Sequence, residues 1–133
     1  MSSLELRRDI VIVACAISAG IHGALVPTHF EVRTGMGLGF VAATVLLAAL
    51  VAVLTLHPTS ARALDGAATV LLGLLASYVL ATTSGLPVLH PEPEPVDALA
   101  LATKAIEAAG LLAAWSLIRR PSLALATPHP KGI

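Results

Sequence analysis

The chain carries 133 residues at zero formal net charge, 56% of them hydrophobic and only 12% charged. Soluble domains average about a quarter charged residues, so this chain has too few to coat a large apolar core with a polar surface. The lack of a basic excess excludes a nucleic-acid surface, and the lone Cys15 excludes both an intramolecular disulfide and a Cys-based zinc site.

Four apolar stretches follow one another, each close to the roughly 20 residues that cross a hydrocarbon core as an α-helix. The first, Ile10 to Val26, comes after Arg7 and Arg8 like a signal peptide. No small-residue cleavage site follows, so it is expected to be a retained helix closed by Pro27. The second runs from Leu38 to Leu56 and is followed by Pro58. Gly35, Gly37 and Gly39 precede it without a strand, which rules out a nucleotide-binding loop. The third spans Gly66 to Leu89, with Asp65 as its expected cap and Gly85 and Pro87 as its stop. The fourth spans Asp97 to Ile118 and is entered through Pro95. Beyond it, residues 119–133 are expected to form a mobile cytoplasmic tail.

The basic residues set the expected orientation. Arg7 and Arg8, Arg62, and Arg119, Arg120 and Lys131 all fall on one face, which the positive-inside rule makes cytoplasmic. The opposite loops, 27–36 and 87–96, carry Glu31, Glu92 and Glu94 against a single Arg33. The expected fold is therefore an all-α integral membrane domain over residues 1–118, an up-down antiparallel bundle of four transmembrane helices with both termini cytoplasmic. The Ala, Leu, Val and Gly bias with almost no lysine points to a bacterial cytoplasmic membrane. Small residues four apart, Gly35 and Gly39, Gly73 and Ser77, Gly110 and Ala114, are expected to let helices approach closely.

Polar groups inside the apolar stretches carry the functional signal, because an ionisable side chain in hydrocarbon is costly unless it meets a partner or a cavity. Cys15, Ser18 and His22 form one stripe at helical spacing, and His29 lies seven residues further on. On the fourth stretch Asp97 and Lys104 are seven apart on one face, and Glu107 is three beyond Lys104, within reach for an intrahelical pair. At about 1.5 Å per residue, Glu107 lies roughly 15 Å from Asp97, near the middle of the bilayer. Ser77, Tyr78, Thr82, Thr83 and Ser84 are expected to satisfy one another or a facing helix. Asp9 is expected to pair with Arg62 or Arg120, and Trp115 with Arg119 and Arg120 to anchor the inner interface.

The leading expectation is a metal-handling membrane protein. His22, His29 and His90, with Glu31 or Glu92 as a further ligand, would hold a divalent ion at the extracytoplasmic face, above a polar floor of Lys104 and Glu107. Histidine and carboxylate with almost no thiol or thioether suit Zn, Cu(II) or Fe. A second expectation is a small proton- or cation-coupled transporter with Glu107, Lys104 and Asp97 as its ion site, formed at the interface of a homo-oligomer. A third is a non-catalytic accessory subunit packed into a larger membrane complex. Haem is poorly served, with only His22 inside the bundle. Ser18 and His22 lack the third residue and oxyanion donors of a hydrolase.

Overall fold

The computed structural model describes residues 1–87, 89 and 91–119. These form four α-helices and no strand: α1 (Ser3–Val32), α2 (Thr34–Leu56), α3 (Ala61–Thr83) and α4 (Ala98–Ile118). All four are long and apolar enough to cross a bilayer. At about 1.5 Å per residue the shortest, with 21 residues, reaches roughly 32 Å, slightly more than a hydrocarbon core. Side chains such as Val13, Leu38, Val45, Leu72, Val79 and Leu112 are exposed on the outside of the helices, as lipid requires and water would not.

α1, α2 and α3 begin before their apolar stretches, and polar caps mark the starts of α1, α3 and α4. Ser2 and Glu5 form a reciprocal capping box: Glu5 N–H donates to Ser2 Oγ at 3.2 Å and Ser2 N–H to Glu5 Oε2 at 2.6 Å. α3 starts at Ser60, whose hydroxyl accepts from Ala63 N–H at 3.2 Å, so Asp65 lies in the second turn and is not the cap. Asp97 caps α4, accepting from Ala100 N–H at 2.8 Å. α3 stops at Thr83, short of Leu89, because Gly85 follows at φ 73°, the left-handed conformation that ends a helix.

Pro27, expected to close the first helix, lies inside α1. It removes one backbone hydrogen bond, and packing against α2 carries the helix past it. The Phe30 ring lies directly on Gly37, where no Cβ would fit. Consequently a single extended residue, Arg33, separates α1 from α2, and Glu31 belongs to a helix and not to a loop.

α1 packs on α2 and α4, and α3 closes the ring by contacting both of those helices. One end of the assembly is filled with apolar side chains, among them Val11, Cys15, Leu47, Leu54, Leu71 and Ala114, all fully buried. α1 and α4 are in close contact where a Cβ on Gly110 would come within 2.6 Å of the Ala14 methyl. A Cβ on Gly39 or Gly73 would meet nothing within 4 Å among the described residues, whereas Gly110 faces Ala14 across α1 and α4 and Ala114 is fully buried. Arg8 is the partner of Asp9, at 3.7 Å.

Candidate functional site

Away from the apolar end, the helices enclose a half-open cavity of about 330 Å³. His22 and His29 enter from α1, Phe40 from α2, Tyr78 from α3 and Lys104 from α4, while Glu94 and Asp97 stand where the loop between α3 and α4 borders it. The loop is tied to α3 by Glu94 N–H donating to Ala81 O at 2.9 Å.

The α-helical repeat explains which α1 residues arrive. Seven residues are about 700° of rotation, so His22 and His29 lie within roughly 20° of the same face. Glu31, two residues after His29, is turned about 200° away from it; it is exposed and does not line the cavity. Both imidazoles neighbour the Phe40 ring, His29 stacked at 3.7 Å between centroids and His22 tilted at 5.1 Å. His22 Nδ1 lies 2.9 Å from Ser18 O, and His29 Nδ1 2.9 Å from Leu25 O. A carbonyl only accepts, so in both rings Nδ1 carries the hydrogen, and in the neutral ring Nε2 is the free acceptor.

Beneath the cavity lies a buried polar cluster. Glu107 is fully buried; it accepts from Ser18 Oγ at 2.6 Å on one oxygen and from Lys104 Nζ at 2.6 Å on the other. Ser18 Oγ also lies 3.3 Å from His22 Nδ1. Lys104 therefore forms the intrahelical pair with Glu107 while lining the cavity, with its ammonium 5.6 Å from the centre of the Tyr78 ring. A polar chain runs from the cavity wall through His22 and Ser18 to Glu107 and returns through Lys104. Below it the apolar core begins.

The residues of the expected metal set are placed differently from one another. His22 and His29 share the cavity, Glu31 and Glu92 are exposed and do not line it, and His90 lies outside the described residues. Among the described residues no group of three or more His, Cys, Asp or Glu side chains is arranged to hold a metal. Asp97 borders the cavity, but its carboxylate is engaged in capping α4.

Two residues matter more than their sequence context indicates. Glu94, and not Glu92, borders the cavity, because only the loop's path selects between two equivalent Glu-Pro pairs. Tyr78 does not bond to neighbouring hydroxyls. Ser77, Thr82, Thr83 and Ser84 each donate to a backbone carbonyl of their own helix, and the buried Tyr78 hydroxyl has no hydrogen-bond partner among the described residues. At the opposite end, the Arg119 guanidinium lies 4.5 Å from the centre of the Trp115 ring, and Arg120 is outside the described residues.

Fold and site together define a multi-pass, all-helical membrane protein with one ionisable cluster behind a cavity. No protein-family model, curated protein or solved structure matches the chain.

Proposed function

We propose that this protein is a small proton- or cation-coupled transporter of a bacterial cytoplasmic membrane, with its cavity open to the extracytoplasmic side and Glu107 as the coupling site. The observation that carries this reading is the fully buried Glu107, joined through Ser18 and Lys104 to a cavity also lined by His22. An acid at bilayer depth that is reached through hydrogen-bonding groups is the usual mark of an ion or proton pathway. In the proposed topology the spans alternate in direction, with the beginning of α1 and the end of α4 cytoplasmic. The register supports it: cavity residues occur late in α1 and α3 and early in α2 and α4, while the apolar core takes the other halves. That core, which includes Val11, Leu54 and Leu71, is the inner gate of an outward-facing state. In proteoliposomes, Glu107→Gln abolishes pH-driven uptake of protons or monovalent cations. Uptake by that variant at the wild-type rate overturns the reading.

A second reading, divalent-metal handling, is favoured by one observation: both imidazoles have Nδ1 tied to a backbone carbonyl, the arrangement that presents Nε2 to a metal. Elemental analysis of protein purified from metal-replete cells tests it, with His22→Ala and His29→Ala each lowering the bound Zn, Cu or Fe. Stoichiometry near zero in the parent protein removes it.

A further inference from the structure

The chemistry of the cavity restricts what it can hold. Its wall is predominantly apolar, with Leu25, Met36, Leu74 and Leu99 beside the faces of Phe40 and Tyr78. The charges at its floor already compensate each other, since Lys104 Nζ and Glu107 Oε2 are 2.6 Å apart. An anion entering is repelled by Glu94 and Asp97 at the border; a cation is attracted by those carboxylates but then meets the Lys104 ammonium at the wall. A neutral ligand encounters neither obstacle. Three polar groups are left to orient it: His22 Nε2 and His29 Nε2, acceptors because each Nδ1–H is spent on a backbone carbonyl, and the buried Tyr78 hydroxyl, which has no partner among the described residues. A buried unsatisfied hydroxyl is unfavourable by about 1–3 kcal/mol, so such a group calls for a partner.

We propose that the cavity binds a neutral, mainly apolar molecule bearing a hydroxyl on an aromatic ring, of the phenol or hydroquinone class. The ligand hydroxyl donates to His22 Nε2 and accepts from the Tyr78 hydroxyl, while its ring and alkyl portion lie against Phe40 and the aliphatic wall. A volume of about 330 Å³ lies at the lower end of the range for small-molecule sites, which suits one substituted ring. This inference rests on the cavity being the substrate site of the proposed transporter, but not on coupling through Glu107.

The test is calorimetric titration of the full chain in lipid nanodiscs with 4-propylphenol, propylbenzene, 4-propylbenzoate and benzyltrimethylammonium, subtracting the heats of empty nanodiscs. The expected result is saturable binding of 4-propylphenol at least about tenfold tighter than each of the others. Tyr78→Phe should remove most of the preference for phenol over propylbenzene, and Ala43→Phe, which places a ring in the cavity wall, should abolish saturable binding. Equal binding of propylbenzene, tighter binding of either charged probe, or an unchanged preference in Tyr78→Phe overturns the proposal. If either variant fails to fold, the probe series on the parent protein decides alone. Phenol binding that persists while Glu107→Gln shows wild-type flux removes the coupling reading and leaves this one; flux lost in that variant without selective phenol binding does the reverse.

Discussion

The buried pair gives the sharpest energetic prediction, because its two members are buried to different degrees. Glu107 has no exposed surface, whereas the Lys104 side chain keeps 15% of its surface accessible where it lines the cavity. Lys104→Met therefore strands a carboxylate that retains only Ser18 as a donor, and removing one partner of a buried ion pair costs about 3–5 kcal/mol. Glu107→Met strands an ammonium that can still turn into the cavity, so its cost should be lower, about 1–3 kcal/mol by the penalty for an incompletely satisfied buried group. The double variant, with two apolar chains of similar length, should return to within about 1 kcal/mol of the parent, as replacement of a whole buried pair often does. Unfolding in mixed dodecyl maltoside and SDS micelles, followed by far-UV circular dichroism, supplies the double-mutant cycle. The reasoning fails if Lys104→Met costs less than about 1 kcal/mol, if Glu107→Met costs more than Lys104→Met, or if the double variant is no more stable than the worse single one.

Gly110→Val should destabilise the α1–α4 contact by about 1–3 kcal/mol, since even a Cβ at that position meets the Ala14 methyl at 2.6 Å; Ala14→Gly in the same chain should recover part of the loss in the same micelle assay. Gly85→Ala should cost about 1–2 kcal/mol from backbone strain at φ 73°, seen as a lower midpoint in SDS titration, whereas Gly73→Ala should be neutral or stabilising there, because open space surrounds that position. Cys15, fully buried in the apolar core, should resist a membrane-permeant maleimide in intact membranes and react once the protein is unfolded in SDS; rapid labelling of the native protein contradicts the packing described.

Much of the candidate site was legible in the spacing of residues. The Cys15, Ser18 and His22 stripe and the Lys104, Glu107 pair depend on a local repeat of 3.6 residues, and both occur as that repeat dictates. The contact between them, Ser18 Oγ on Glu107 Oε1 across 89 residues of chain, was not legible, because it depends on which faces of α1 and α4 meet, a relation between two segments distant in sequence. The position of Glu31 was misread for a local reason. Treating Pro27 as a helix end put Glu31 in a loop, whereas continuation of α1 to Val32 turns it away from the face that carries His29.

From residue order alone came the four apolar helices, their number and approximate position, and the presence of an acid within the fourth of them: length and hydropathy are properties of each segment by itself. Tertiary packing decided the rest. It made one end solid and the other hollow, chose Glu94 over Glu92 for the cavity border, and left the Tyr78 hydroxyl without a partner among the described residues. These features depend on which helix faces meet and at what distance, a relation between segments that no single segment encodes.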